Sequence, residues 1–187
     1  MACILAAIYR TTMIKKCIHI ILFAISVQCA KAQFEWLKVC PEGPRSGEAA
    51  AQTYVYSEGY ILSFGGSNQY NETWTWDGEN WDRQQPVTKP PNVKRTAIAY
   101  DLVRDEVILF GGYAKNYETG HAYLSDQTWR WDGENWEQLF PENHPNAREN
   151  HSLVYDKHRD KVVLFGGYGD QRDELLDTWE WDGKNWE

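Results

Sequence analysis

Hydrophobic and polar residues alternate along most of the chain in short runs that turn-forming residues separate. Three apolar runs end in Phe-Gly-Gly, at residues 64–66, 110–112 and 165–167. Each is followed by Trp-x-Trp, an Asp-Gly turn and a third tryptophan, at residues 74–81, 129–136 and 179–186. Trp-x-Trp places two rings on one face of an extended strand, because side chains alternate with period two. Asp-Gly supplies the turn, since glycine tolerates positive φ. The pattern predicts short antiparallel strands.

These segments define three repeats, at about residues 49–92, 93–147 and 148–187, each predicted to contain four short strands. From the third tryptophan of one repeat to the next Phe-Gly-Gly the distance is 29 residues in both cases. From Phe-Gly-Gly to the following Trp-x-Trp it is 10, 19 and 14 residues. The first connection is therefore fixed by packing, whereas the second forms variable loops on one face of a scaffold. Four-stranded units of about 50 residues predict an all-β fold, a β-propeller of four-stranded antiparallel blades.

The repeated glycines and tryptophans are predicted to be structural. A glycine pair lets backbone pass where a Cβ would clash and can supply positive φ. Nine of the ten tryptophans belong to the three repeats, and the tenth, Trp36, stands at the matching place in a leading strand. We expect these rings to be core rather than ligand platforms, because burying each removes roughly 150–250 Å² from water. The framework positions are Gly65, Gly66, Gly111, Gly112, Gly166, Gly167, Trp74, Trp81, Trp129, Trp136, Trp179 and Trp186.

Residues 1–32 are predicted to be a signal peptide rather than part of the fold. Lys15-Lys16 precede an apolar run from Ile18 to Val27, and Ala30-Lys31-Ala32 offers a cleavage site near Ala32. A membrane anchor is the alternative, but a span needs about 20 apolar residues and this run has about half that number. The mature chain is therefore expected to be secreted, into the extracellular space or a periplasm.

Residues 33–48 are predicted to be an outer strand, 34–39, followed by a linker. This orphan strand resembles the last strand of a repeat. Three blades plus one strand make an incomplete ring, since closed propellers have about four to eight blades. The chain is therefore either a fragment of a longer protein or closes its ring by self-association. Only Cys40 of the four cysteines lies beyond the leader, so a mature chain has no internal disulfide; a bridge to a second molecule stays open.

The double glycines, the tryptophan rows and the aspartates before the Trp-x-Trp strands (Asp126 and Asp177) resemble the kelch repeat family. The resemblance covers residues 33–187, although repeat one has Asn71 in place of the aspartate. It implies a kelch-type β-propeller, similar to the central domain of galactose oxidase, in which Arg148 and His151 form structural hydrogen bonds between blades. None of the radical-copper ligands of those oxidases can be transferred to this chain.

Charge excludes two classes of partner. All 27 acidic residues but only 15 of the 19 basic residues follow residue 32, so that part has a net charge of −12. Such a surface repels nucleic acid and offers no basic amphipathic stretch for anionic lipid. The sequence also has no metal-ligand spacing, nucleophile elbow, phosphate loop or dinucleotide fingerprint. We therefore predict no catalytic residue, no metal, no cofactor and no membrane span.

The candidate binding residues lie in the variable loops of repeats two and three, predicted at residues 113–125 and 168–176. Their polar and aromatic side chains would suit a glycan or a protein; the alternative is a solvated loop whose tyrosines pack locally. Asn71 and Asn150 begin glycosylation sequons. The pairs Asp101/Asp105 and Asp156/Asp160 are expected to be hairpin-turn residues. The candidate ligand-binding residues are Tyr113, Tyr117, His121, Tyr123, Arg172 and Asp173.

The sequence favours an exported, non-catalytic binding or scaffold module for protein or carbohydrate. The main alternative is a fragment of a propeller enzyme whose catalytic residues lie in further blades, and a third is a truncated product without function. A cluster of His, Tyr or acidic residues in further blades would favour the enzyme, whereas uniform repeats with variable loops would favour the binding module.

Overall fold

A computed structural model describes residues 43–44, 50–66, 71–116 and 119–187. The predicted signal peptide (1–32), the orphan strand (34–39) with Trp36, and Cys40 lie outside the described residues. From residue 50 onward the described chain contains β-strands and no helix, and every pair of hydrogen-bonded strands is antiparallel. The all-β prediction is therefore confirmed.

Two of the sheets have four strands each, and their strands neighbour one another in the order in which they follow along the chain. The first sheet consists of β1 (Ala50–Val55), β2 (Tyr60–Gly65), β3 (Thr73–Trp76) and β4 (Trp81–Gln84). The second sheet consists of β6 (Ala97–Asp101), β7 (Glu106–Phe110), β10 (Thr128–Trp131) and β11 (Trp136–Leu139). No described sheet closes on itself.

The third sheet consists of β12 (Ser152–Asp156), β13 (Lys161–Phe165) and β14 (Thr178–Trp181). A bridge between Trp181 and Trp186 begins a further strand pairing at its outer edge. Backbone hydrogen bonds of 2.8 and 3.0 Å between Glu180 and Glu187 extend it.

A fourth, small sheet has three strands and shares no strand pairing with the other three sheets. It consists of β5 (Val93–Lys94), β8 (Tyr113–Lys115) and β9 (Ala122–Leu124). The sequence predicted one continuous loop from Tyr113 to Ser125, and this was wrong. Residues 113–115 and 122–124 pair as a hairpin, and β5 adds to its free edge.

The three large sheets pack face to face, with the second in the middle. Alternate residues of β7 point to opposite sides: Val107 and Leu109 pack in a core with the first sheet, Ile108 and Phe110 in a core with the third. All five residues of β7 are buried, as expected for a strand covered on both faces.

The third tryptophan of a repeat joins its sheet to the preceding one. Trp136 packs edge-on against Phe64, with ring centroids 5.1 Å apart, and Trp186 packs likewise against Phe110 at 5.5 Å. The indole N–H of Trp136 donates to Thr73 Oγ1 at 2.8 Å, and that of Trp186 donates to Thr128 Oγ1 at 3.0 Å. A buried indole needs such an acceptor, so each ring is fixed in one orientation.

The Asp-Gly turns also connect successive sheets. In the second repeat, Asp132 Oδ1 accepts the backbone N–H groups of Glu134 and Asn135 at 2.9 and 2.7 Å. Asn135 Oδ1 then accepts the backbone N–H of Val87, at 2.9 Å, from the connection that leaves the first sheet. Asn185 accepts from Glu142 in the same way, also at 2.9 Å. The turns of repeats two and three therefore hold the incoming chain as well as their own hairpins.

The hairpin-turn prediction for the paired aspartates is confirmed. Asp101 Oδ1 accepts the backbone N–H groups of Val103 and Arg104, both at 3.1 Å. Asp105 and Asp160 have φ of 56° and 54°, the left-handed conformation that such turns use.

The Phe-Gly-Gly segment of repeat two lies against two other backbone segments. Gly111 and Gly112 have φ of 66° and 103°. A Cβ on Gly111 would lie 2.8 Å from the carbonyl oxygen of Arg148, and one on Gly112 would lie 3.0 Å from that of Lys94. Only glycine fits both constraints without strain, as the sequence analysis expected of these pairs.

Candidate ligand-binding site

A depression of about 350 Å³ lies between the small sheet and the loop that follows Phe-Gly-Gly in repeat three. The loops whose lengths vary between repeats therefore meet here. Charged and aromatic side chains from both repeats form most of its lining. The lining residues are Lys94, Arg95, Tyr113, Ala122, Tyr123, Leu124, Glu149, Gly169, Asp170 and Arg172.

The small sheet supplies the aromatic side of the site. Lys94 and Tyr113 are directly opposite each other on β5 and β8, and the Lys94 ammonium lies 5.5 Å from the centre of the Tyr113 ring. This is within the range of a cation–π contact. Tyr123 on β9 is 46% exposed, so its ring is available to solvent at the rim.

An ion pair between the two repeats forms the floor. Arg95 Nη1 donates to both carboxylate oxygens of Glu149, at 3.2 and 3.0 Å. The Glu149 side chain is only 12% exposed, so the pair is better shielded than an ordinary surface bridge. The backbone N–H of Asn150 donates to the carbonyl of Arg95 at 2.9 Å, which fixes the two segments side by side.

The loop of repeat three closes the other side. Tyr168 exchanges backbone hydrogen bonds with Glu149 at 3.1 and 2.9 Å. The chain then turns back at Gly169, whose N–H donates to the carbonyl of Asp173 at 3.0 Å. A Cβ on Gly169 would come within 2.7 Å of the Asp173 carboxylate. This turn places Asp170 and Arg172 at the rim.

Three residues at or beside the site have a backbone that non-glycine residues rarely adopt. Arg95, Asn150 and Arg172 have φ of 58°, 57° and 61°. Such conformations are held only where the surrounding structure determines them, and they concentrate at binding and catalytic sites. The loops here are thus fixed in shape by hydrogen bonds.

The structure brings together half of the residues proposed from the sequence. Tyr113, Tyr123 and Arg172 line the depression. Asp173 lies in an adjoining depression that shares Gly169 and Asp170 with it. His121 is exposed and lines neither depression; its backbone carbonyl accepts from Asn116 N–H at 2.8 Å in the β8–β9 hairpin. Tyr117 lies outside the described residues.

The sequence analysis missed Lys94, Arg95 and Glu149. Aligning the repeats could have identified these positions. Positions 94 and 95 precede β6 as positions 149 and 150 precede β12, and both Arg95 and Asn150 have the same left-handed backbone. The connections before the first strand therefore face the site from both repeats, although their residues differ.

Arg148 anchors the third repeat beneath the site. Its side chain is fully buried, and the guanidinium donates to both Asp177 oxygens at 2.6 and 2.8 Å and to the carbonyl of Gly166 at 3.0 Å. The Arg148 guanidinium lowers the pKa of Asp177 to about 2. These contacts lie within one repeat. The hydrogen bonds that Arg148 forms with repeat two come from its backbone instead: Gly112 N–H donates to its carbonyl at 2.8 Å, and its own N–H donates to the carbonyl of Ser125 at 3.3 Å.

His151 was also expected to form hydrogen bonds between blades, but its side chain does not do so within the described part of the chain. Neither of its ring nitrogens has a hydrogen-bond partner among the described residues. The ring instead packs edge-on against Phe110 of repeat two, with centroids 5.6 Å apart. Burial, and then the positive charge of Arg148, lower the pKa of His151 to about 4, so it is neutral near pH 7.

Asp126 and Asp177, which the sequence analysis treated as equivalent, have different roles. Asp177 Oδ2 accepts the indole N–H of Trp179 at 2.7 Å, whereas in repeat two Gln127 accepts that of Trp129 at 3.0 Å. Asp126, one residue earlier, is 54% exposed and has only a distant approach to His144, at 4.0 Å. The equivalent of Asp177 is therefore Gln127.

The site combines exposed aromatic rings with planar hydrogen-bonding groups of both charges. Three cations and two carboxylates line it, a local excess of positive charge in an acidic chain. Arg172 forms no ion pair with any residue that the structure describes. Among the described residues, no group of three or more His, Cys, Asp or Glu side chains could hold a metal ion. That same part of the chain contains no helix long and apolar enough to cross a membrane.

No family model matches the chain, and no curated protein matches it. Among solved structures, one match is described as the structure of YjhT, with a TM-score of 0.56 and 17% sequence identity. The match covers 74% of this chain and 43% of that chain, so this chain spans less than half of the structure that it matches. A likeness at this level of identity concerns the fold alone.

Proposed function

We propose that this chain is an exported, kelch-type β-propeller module that binds a carbohydrate or protein ligand at its loop face and performs no catalysis. The observation on which this rests is the convergence of Tyr113, Tyr123 and Arg172 with the Arg95–Glu149 ion pair in one depression. The repeats at about 49–92, 93–147 and 148–187 would each contribute a blade.

The stacked sheets and the likeness to YjhT support the propeller. Consecutive antiparallel strands within each sheet, packed face to face with the next, are what blades require. Double glycines and tryptophan rows support the kelch assignment.

Cleavage after the predicted leader would release the module outside the cell, where Asn71 and Asn150 would be available for glycosylation in hosts that carry it out. Modification of Asn71 would require its side-chain amide to release the carbonyl of Pro90, 2.6 Å away.

The size and chemistry of the site favour one saccharide unit over an extended protein surface. A volume of about 350 Å³ is near the lower end for small-molecule sites, about 300–1,000 Å³. Tyrosine rings can stack on the apolar face of a sugar, while guanidinium and carboxylate groups pair with its hydroxyls. The loop-fixing hydrogen bonds reduce the entropy lost on binding.

Screening of the purified protein on an array of defined oligosaccharides, followed by calorimetric titration of the hits, tests this proposal. The double variant Tyr123→Ala/Arg172→Ala should bind a hit at least about tenfold more weakly, as loss of an aromatic or arginine anchor does. Its melting temperature should not change, because both side chains are at the rim. The control variant is His121→Ala, in the same hairpin but outside the depression, and it should bind normally.

Equal affinity of the double variant and the wild type would remove this depression from the binding site. Failure to bind any saccharide on the array, together with capture of a protein whose binding is lost in the double variant, would identify a protein ligand at the same place.

A further inference from the structure

Each of the two outer sheets leaves one face without a neighbouring sheet among the described residues. On the first sheet this face contains the tryptophan row, because Trp74 is opposite Ser63 and Trp76 is opposite both Ile61 and Trp81. We call it the tryptophan face: Ile61, Ser63, Trp74, Trp76 and Trp81. On the third sheet it contains Phe165 with its cross-strand neighbour Thr178, and Val163 with Val154. We call this set of four residues the phenylalanine face.

The two interfaces inside the chain show what each face is built to contact. In both, a phenylalanine and a threonine of one sheet receive the third tryptophan of the next. Phe64 and Thr73 receive Trp136, and Phe110 and Thr128 receive Trp186. The same two types of contact, edge-on packing and an indole hydrogen bond, occur each time.

The phenylalanine face has the same residues in the same register, but they are exposed. Phe165 is 55% exposed, whereas Phe64 and Phe110, at the corresponding positions, are 0% exposed. Thr178 is also exposed, whereas Thr73 and Thr128 are buried. This face therefore has an exposed phenylalanine and a threonine acceptor, but no tryptophan packs against them among the described residues.

The tryptophan face has tryptophans of the matching kind, but no preceding sheet among the described residues for them to pack against. Trp131 and Trp136 in the second sheet, and Trp181 and Trp186 in the third, are buried against the preceding sheet. Trp76 and Trp81 are the corresponding residues of the first sheet, and they are only half-buried even though Gly43 of the same chain lies against the Trp81 ring. A large, partly exposed aromatic surface of this kind marks an interaction site.

We propose that the phenylalanine face of one molecule packs against the tryptophan face of a second copy of this chain. Trp81 of the second copy would pack edge-on against Phe165 and donate its indole N–H to Thr178 Oγ1. The occupant is a second copy because the required surface, a tryptophan in this register on a matching sheet, is present on the chain itself. The contact continues an interface that the chain already forms twice.

The contact is head-to-tail, so repeated contacts must either close into a ring or extend into a filament. Two copies that each use both faces form a ring of six sheets, within the range of about four to eight blades that closed propellers have. Both copies then satisfy both faces, and assembly stops at the dimer.

Native mass spectrometry and sedimentation velocity of the purified protein test this. The wild type should be a dimer. Phe165→Glu and, separately, Thr178→Arg should raise the dissociation constant at least about tenfold, because each places a charge at the centre of the contact. Both positions are exposed in the single molecule, so folding should be unaffected. Phe140→Glu is the matched control: Phe140 is 83% exposed but outside both faces, and this variant should remain a dimer.

A mixing experiment tests the direction of the contact. Ile61→Glu, on the tryptophan face, should also give monomers, with its folding checked by circular dichroism. Mixing it with Phe165→Glu should restore a dimer, because one undamaged pair of faces remains between the two variants. A wild type that is monomeric at every concentration tested would overturn the proposal and leave the faces to further sheets of a longer chain. A dimer that survives both Phe165→Glu and Thr178→Arg, or a mixture that does not reassociate, would overturn it as well.

Discussion

Replacing Asp177 by asparagine is expected to lower the free energy of unfolding by about 2 kcal/mol. The Arg148 guanidinium is fully buried and makes two of its hydrogen bonds to the Asp177 carboxylate. Asparagine keeps the shape but removes the charge, so the buried cation loses its counterion.

Two estimates give this magnitude. Removing one partner of a buried ion pair costs about 3–5 kcal/mol, but the Asp177 side chain is 41% exposed, so water replaces part of the lost interaction. The pKa of Asp177, lowered from 3.8 to about 2, corresponds to at most about 2.4 kcal/mol, and screening by solvent reduces this to about 1–2 kcal/mol. A loss of about 2 kcal/mol should lower the melting temperature by about 4–8 °C.

Urea unfolding followed by tryptophan fluorescence measures the effect, at one fixed protein concentration. The matched control is Asp126→Asn, which makes the same change at an exposed carboxylate. Asp126 stands one residue before Gln127, the equivalent of Asp177 in repeat two, and its replacement should lower the free energy of unfolding by less than about 0.5 kcal/mol. The cost of Asp177→Asn should also depend on pH. Because the folded-state pKa is lowered, the carboxylate stabilises the fold above pH 3.8, and this contribution is lost as the pH falls towards 2. Equal costs for the two variants, or a cost for Asp177→Asn that is unchanged down to pH 2.5, would refute the reasoning.

Two further changes test other parts of the framework. His151→Phe should reduce the loss of stability as the pH falls from 6.5 to 4. The wild-type imidazole, with a folded-state pKa of about 4, disfavours the folded state by up to about 2–3 kcal/mol as the unfolded chain takes up a proton. Equal slopes of unfolding free energy against pH in both proteins would contradict this. Gly111→Ala should cost about 2 kcal/mol more than Gly133→Ala. Both glycines have positive φ, but a Cβ on Gly111 meets the Arg148 carbonyl at 2.8 Å whereas one on Gly133 meets nothing within 4 Å; equal melting temperatures of the two variants would show that the close approach relaxes freely.

The sequence predicted the strands because their signals are local. An apolar run that ends in Phe-Gly-Gly is enough to place β7, and Trp-x-Trp before an Asp-Gly turn is enough to place β10. The small sheet was missed because β5 has only two residues, Val93 and Lys94, in which no alternation can be seen. β5 forms because the β8–β9 hairpin provides an edge for it to join.

The sequence predicted part of the candidate site because that part also has a local signal. Tyr113, Tyr123 and Arg172 stand in loops of variable length, which are visible by aligning the repeats. The Arg95–Glu149 pair joins residues 54 positions apart, and no local pattern shows which charge meets which. The Asp126–Asp177 equivalence failed because hydrogen bonding to the indole two residues ahead, rather than residue identity, defines that position.

The Asp-Gly turns of repeats two and three bind the connections that precede their sheets, and these bonds set an order for assembly during synthesis. The bond from Val87 to Asn135 cannot form until residue 135 has left the ribosome, by which time the whole first sheet has been exposed for some 50 residues of translation. A similar delay, of 43 residues, separates Glu142 from Asn185. The first and second sheets thus gain these bonds only when the following sheet has been made, so a stalled ribosome would leave a finished sheet with its Phe64 or Phe110 surface open to chaperones and proteases.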